Sequence, residues 1–133
     1  MKKAKLEQII QQGIFGTPEI RPEEKHLFLG TFAERVRLAL TNAQVYKTGM
    51  YDEALRLMKT KKDVRMLVNG NLPYSSYSNY VKAASETGTP FTIHNDFHST
   101  PIGIVFAAER AVHNEKNMFI KDEFFFYDME SEQ

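Results

Sequence analysis

With 133 residues, seventeen basic and seventeen acidic side chains and a formal net charge of zero, the chain has the size of one domain with a single core and is too short for two. The balanced charge argues against a protein devoted to neutralising phosphates. The lack of cysteine excludes a disulfide scaffold, a thiolate nucleophile and cysteine-ligated zinc, and suits a reducing cytosol.

Hydrophobic residues at 42% and charged residues at 26% are those of an ordinary soluble globular protein, and ten Phe and six Tyr supply bulky core material. Met1-Lys-Lys-Ala-Lys is basic, but Glu7, Gln8, Gln11 and Gln12 interrupt any apolar signal segment. No window approaches the roughly eighteen apolar residues of a membrane span. The expected location is the cytoplasm.

In chain order, Leu6, Ile9 and Ile10 have helical spacing before Gly13 and Gly16, which predicts a short N-terminal helix. Thr17-Pro18 to Pro22 reads as an extended arm, because each proline turns its predecessor away from helix. Residues 1–29 are thus expected to form a helix and a proline-containing arm, and 129–133 a disordered tail. Val36, Leu38 and Leu40 alternate with Arg35, Arg37 and Ala39, predicting a strand over Arg35–Leu40 with the first three on one face.

Thr41-Asn-Ala-Gln44 matches a capping box and should open a short helix. Tyr51, Ala54, Leu55 and Met58 predict a second over Met50–Lys61. Val64–Val68 is nearly continuous apolar sequence ending in Asn69-Gly70-Asn71, the pattern of an interior strand leaving the sheet at a turn. Tyr77, Tyr80, Val81 and Ala84 mark a helix capped by Ser75 or Ser76 and stopped by Gly88. Phe91–His94 follows as a third strand. Thr100-Pro101 reads as an N-cap with proline at the first helical position, opening a helix through Ile102, Val105, Phe106 and Val112. Asn117–Asp128 reads as an aromatic closing strand. Strand and helix alternate throughout, which predicts a sheet covered by helices.

Thr-Pro-Glu-Ile-Arg-Pro-Glu-Glu (Thr17 to Glu24), Leu-Gly-Thr-Phe-Ala-Glu-Arg-Val (Leu29 to Val36) and Asn69-Gly70-Asn71-Leu72 resemble the YueI-like family, small proteins of Gram-positive bacteria that form a domain of unknown function. The resemblance covers about Gly16 to Val112. It implies a mixed four-stranded sheet in a chorismate-mutase-like α/β sandwich and no particular chemistry. That architecture is also similar to ribosomal RNA-binding domains, an analogy of fold alone. Ala33 stands where the resemblance implies a basic residue.

If the first three strands run parallel, their ends gather Thr41, Asn42, Asn69, Gly70, Asn71, His94 and Asp96 at one rim, with helix N-termini at Thr41, Ser76 and Thr100. This rim is the candidate site of a non-catalytic binding or interaction module. His94, Asp96 and His98 alternate on an extended segment and supply two imidazoles and a carboxylate, the ligand types of a divalent transition metal. In that alternative the protein is a metal-assisted hydrolase, with bound water as nucleophile and Asn69 or Asn71 orienting substrate. No other cofactor is implied.

A third reading is RNA binding, with Tyr74, Tyr77, Tyr80 and Lys82 at the bases and Arg35, Arg37, Arg56, Lys59, Lys61, Lys62 and Arg65 at phosphates. Helical spacing assigns Tyr77 and Tyr80 to the core. Residues 30–63 carry seven basic and four acidic groups, whereas 117–133 carry one against five. Phe119, Ile120 and Phe124–Tyr127 form an apolar patch that, as a sheet edge, would pair two copies in a homodimer. His26 and His113 stand alone in the sequence. Ser75, Ser76 and Ser78 lack a nucleophile elbow, and Gly13-x-x-Gly16 lacks the rest of a phosphate loop.

Overall fold

The computed structural model describes residues 22–97 and 100–130. The expected N-terminal helix, the arm as far as residue 21 and the last three residues lie outside them; from Pro22 the expected arm is corrected to a helix, Pro22 taking its first position. The elements are helix α1 (Pro22–Leu27), a 3₁₀ turn (Ala33–Arg35), strand β1 (Val36–Thr41), helices α2 (Asn42–Tyr46) and α3 (Asp52–Thr60), strand β2 (Arg65–Asn69), helix α4 (Tyr74–Thr87), strands β3 (Phe91–His94) and β4 (Ile102–Ala107), and helix α5 (Glu123–Glu130).

The four strands form one mixed sheet in the order β1-β4-β2-β3. β4 runs antiparallel to both β1 and β2, and β3 is parallel to β2. β1, β2 and β3 therefore all point the same way, with the last strand in sequence inserted between the first two. All six β4 residues are buried, as expected for a strand covered on both faces.

Two irregularities decide which residues meet which core. In β1, Val36 pairs with Ala107 and Leu38 with Phe106, leaving Arg37 as an extra residue; in β4, Leu40 pairs with Ile104 and Thr41 with Ile102, leaving Gly103. Each is a β-bulge, which reverses the inside-outside alternation beyond it. The expected single face of Val36, Leu38 and Leu40 is corrected accordingly. Val36 packs with Leu27, Phe28, Leu29, Val105, Met118, Phe125 and Met129 on one side. Leu38 and Leu40 pack with Met58, Met66, Tyr77, Tyr80 and Phe106 on the other.

The second side is covered by α3 and α4. Tyr51, Ala54 and Met58 from around α3, and Tyr77, Tyr80, Ala83 and Ala84 from α4, turn inward, as their i, i+3, i+4 spacing demands. Gly88, at φ 74°, ends α4 in the left-handed conformation, and its N–H returns to the Ala84 and Ser85 carbonyls.

The opposite side explains the family-like motif as packing and turn chemistry. Leu27, Phe28 and Leu29 are buried, and Leu29 and Gly30 take φ values of 56° and 101°. The Gly30 N–H bonds the Lys25 carbonyl at 2.7 Å. Buried Glu24 accepts the Ala33 N–H at 2.8 Å. Ala33 is itself buried, so the position where a basic residue was expected faces the core.

Two sequence-based elements are overturned. The helix expected from Thr100-Pro101 is β4, because Ile-Gly-Ile-Val-Phe-Ala is buried on both faces and tertiary burial overrides a local cap signal. The closing strand expected over Asn117–Asp128 is a short bridge, Ala39 to Phe119, followed by α5. Asp122 starts that helix by accepting the Phe125 N–H at 3.0 Å. The disordered tail expected from residue 129 is also corrected at its first residue, since Met129 lies in the core.

Candidate binding rim

The common direction of β1, β2 and β3 brings the ends of all three, and the start of β4, to one rim. Its floor is a series of hydrogen bonds between those ends. The Asn42 N–H donates to the Pro101 carbonyl at 2.8 Å, and its side-chain Nδ2 donates to the Thr100 carbonyl at 3.0 Å. Asn69 Nδ2 donates to the Ile102 carbonyl at 3.2 Å, while its Oδ1 accepts the Asn71 N–H at 3.0 Å. The Gly70 N–H reaches the His94 carbonyl at 2.7 Å, and Asn71 Nδ2 reaches the Phe97 carbonyl at 3.0 Å. Thr41, Asn42, Asn69, Gly70, Asn71, His94 and Thr100 are thereby joined, as the sequence reading anticipated for parallel strands.

Several of these groups are committed to structure. Thr41 N-caps α2 in the expected capping box: its hydroxyl accepts the Gln44 N–H at 3.4 Å and Gln44 Oε1 accepts the Thr41 N–H at 2.9 Å. Thr100 caps no helix. Its hydroxyl donates to the Leu27 carbonyl at 2.8 Å and accepts the Ile102 N–H at 3.3 Å, pinning the α1 segment to the start of β4.

Ser76 is corrected too, as is Ser75: α4 begins at Tyr74 with Pro73 as N-cap and no side-chain cap. The Ser76 hydroxyl donates back to the Pro73 carbonyl at 2.6 Å. Both glycines of the rim are steric necessities. A Cβ on Gly70 would collide with Asn95 Oδ1 and stand 2.9 Å from the His94 carbonyl, and one on Gly103 would stand 2.7 Å from Val45 Cγ2 and 3.1 Å from Asn42 Oδ1.

The groups left facing outward cluster around Phe97. The His94 and His26 rings meet the Phe97 ring edge-on at 5.2 and 5.8 Å. Gly30 lies under the same ring, its would-be Cβ 3.7 Å from Phe97 and 3.9 Å from His94 Cε1. His94 Nδ1 lies 3.8 Å from Asp96 Oδ1; the His94 side chain is 26% exposed and that of Asp96 77%. Asn42 Oδ1 is buried without a hydrogen-bond partner. Sequence reasoning left His26 isolated, and no local signal joins it to His94. Only the packing of the α1 turn against the rim does.

For a metal, His94 and Asp96 are adjacent and His98 lies outside the described residues. Among the described residues no group of three His, Asp or Glu side chains is arranged to hold an ion.

Beside the rim, the Gln44 side chain enters a second polar cluster. Its Nε2 donates to the Ile120 carbonyl at 2.7 Å and to Asp122 Oδ1 at 3.1 Å, and the Tyr51 hydroxyl donates to Asp122 Oδ2 at 2.6 Å. Burial, with the hydrogen bond to the Asp122 carboxylate next, pushes the Tyr51 phenol well above its ordinary range. Burial alone would raise Asp122, but the bonds from Tyr51, the Phe125 N–H and Gln44 outweigh it and hold the carboxyl below its usual range. Asp128 Oδ2 accepts the Ala43 N–H at 2.7 Å, so two carboxylates fasten the C-terminal segment to α2 and α3.

The aromatic homodimer edge is corrected by this arrangement. Phe125 is in the core, and Phe126 and Tyr127 are exposed on a helix. The outer side of β1 is occupied by the Ala39 N–H to Met118 carbonyl bond at 2.8 Å. Tyr77 and Tyr80 are buried, as their spacing implied, whereas Tyr74 is 60% exposed. Among the described residues no helix is long and apolar enough to cross a membrane.

Residues 3–118 match the model of a family described as Protein of unknown function (DUF1694). The chain is 46% identical over 127 residues to "Uncharacterized protein YueI" of Bacillus subtilis (strain 168), covering 94% of this chain and 95% of that one. It is also similar to the crystal structure of the YueI protein from Bacillus subtilis, with a TM-score of 0.79, 44% identity and coverage of 95% and 98% of the two chains.

Proposed function

The chain belongs to this family of proteins of unknown function, and from that premise we propose that it is a non-catalytic binding or interaction module of the cytoplasm that engages its ligand at the rim. The observation that carries the reading is the bonding of three strand ends and the start of β4 to one another through Asn42, Asn69, Gly70 and Asn71. Such cross-bracing makes a rigid floor, and a preorganised floor lowers the ordering cost of binding. Open α/β sheets bind ligands beyond the carboxyl ends of their strands.

The outward groups suit recognition. Imidazoles of His26 and His94 flank an aromatic ring, and Asp96 supplies an exposed carboxyl group at the margin. A polar ligand with a flat apolar part matches this mixture of ring faces and hydrogen-bonding groups. The amides of Asn42, Asn69 and Asn71 serve the backbone, which favours a scaffold for binding over proton transfer.

A thermal-shift panel of nucleotides, small anions and divalent metals, with amide chemical shifts mapped for every hit, tests the reading, because a true ligand stabilises the fold by mass action. The expected result is a hit whose shifts centre on residues 69–71 and 94–97 and whose stabilisation is lost in His94→Ala. Hits that map elsewhere, or an undiminished response in that variant, overturn it. The hydrolase alternative rests on the His94 and Asp96 pair. It requires a rise in melting temperature with zinc, nickel or manganese that His94→Ala removes, together with metal-dependent turnover of a phosphate ester.

A further inference from the structure

At the end of the sheet opposite the rim, we infer that the protein carries a second surface, which takes the phosphate backbone of single-stranded RNA. Sheet order and register assemble it. Arg35 immediately precedes β1, Arg65 opens β2, and Val36 and Arg65 both pair with Ala107 of β4, which lies between them. With neighbouring strands about 4.8 Å apart, the two arginines leave the sheet roughly 10 Å from each other. Arg110 follows the end of β4, and Lys61 and Lys62 lead into β2.

All five side chains are exposed. Among the described residues, Asp63 is engaged by Arg37 at 3.2 Å, and no carboxylate lies within ion-pair distance of Arg35, Lys61, Lys62, Arg65 or Arg110. The zero net charge conceals an uneven distribution: residues 30–63 carry seven basic and four acidic groups and residues 117–133 one against five, with Asp122 and Asp128 turned toward α2 and α3. Glu34 and Glu109 are the carboxylates next to Arg35 and Arg110 in the chain.

The chemistry selects among polyanions. Arginine presents a planar fork that matches phosphate oxygens in pairs, and three of the five groups are arginines. A lipid surface would call for apolar side chains beside the charges; exposed Tyr46, Phe126 and Tyr127 are on α2 and α5, away from this end. A protein partner would call for a buried apolar anchor ringed by polar groups, whereas the strand ends present charge. Phe91 adds a ring for stacking. It is 36% exposed, opens the edge strand β3 and pairs in register with Met66, which places it at the same end of the sheet as Arg65 but on the opposite face. A basic track with one exposed ring around the same sheet end has the parts of a single-strand site, the strand passing over the end from one face to the other.

Fluorescence anisotropy of a labelled oligouridylate across a salt series, with the full chain, tests the inference. Binding is expected at low salt, weakening linearly on logarithmic axes with a slope of about −0.7 per phosphate contact. Arg65→Glu and Arg110→Glu should each lower affinity at least about tenfold and flatten that slope. Phe91→Ala should lower affinity and leave the slope unchanged. His94→Ala at the rim should bind RNA as the parent does, so failure here and failure of the rim reading are told apart. No anisotropy change at low salt overturns the inference. So does unaltered binding by the charge-reversed variants while their melting temperatures match the parent, and so does equal competition by polyglutamate or anionic vesicles.

Discussion

The two ends of the sheet are built from the same four strands and handle their polar residues in opposite ways. At the rim, Asn42, Asn69, Asn71 and Thr100 spend their amides and hydroxyl on backbone carbonyls and N–H groups of the adjoining segments. At the far end, Arg35, Arg65 and Arg110 stand exposed in water. Polar side chains that gather in one place can serve the fold or serve a ligand. The rim side chains were the conspicuous ones in the sequence, and many of them hold the sheet together.

If that contrast is right, substitutions at the two ends should differ sharply in their effect on stability. The largest change is expected for Gly103→Ala, whose new Cβ would press on Val45, Asn42 and Leu72 at the bulge. Overpacking of this kind costs about 1–3 kcal/mol, measurable by chemical denaturation. Asn69→Ala should follow closely: it removes the donor to the Ile102 carbonyl and the acceptor for the Asn71 N–H, leaving buried groups unpaired at a cost of about 1–3 kcal/mol. Thr41→Ala, which breaks the capping box, should cost about 1 kcal/mol.

Acid titration sharpens the same contrast from the side of the rim. The Asp122 carboxyl is held below its unfolded value in the native state. Its contribution is therefore complete above the unfolded pKa, about 3.9, and is lost as pH falls through the lower folded value. Melting temperatures measured downward from pH 5 should drop more steeply for the parent than for Asp122→Asn, which starts lower and lacks this acid limb. The smallest change is expected at the far end. Arg65→Glu and Arg110→Glu should stay within about 0.5 kcal/mol of the parent, and a loss there as large as that of Asn69→Ala would break the comparison.

How much of this was legible in the chain depended on how local the deciding physics is. The capping box of Thr41 and Gln44, the α3 and α4 stripes and the Gly88 stop are settled within one or two helical turns, and each was readable. The convergence of Asn42, Asn69 and His94 followed from parallel strand directions alone. β4 was missed because Thr100-Pro101 imitates a helix start, and what makes Ile102–Ala107 a strand is burial between β1 and β2, partners distant in sequence. α5 was missed because Phe124 to Tyr127 favours β structure, although Asp122 three residues before Phe125 was a usable N-cap signal. The two bulges left no mark beyond a glycine at 103. The joining of His26 to His94 through Phe97 had no signature.

The central position of β4 has a consequence for how the chain reaches its native state. β1 leaves the ribosome well before its neighbour in the sheet, residues 102–107, so no local hairpin is available to hold it. β2 can pair with β3 through the α4 crossover, but that two-stranded unit remains open on the side that β4 will fill. The sheet is completed only when a late segment slides between two older ones. Pairings so distant along the chain carry a high loop-closure cost and fold slowly. During synthesis, the apolar flanks of β1 and β2 therefore stay exposed until residues 102–107 have emerged to fill the gap between them.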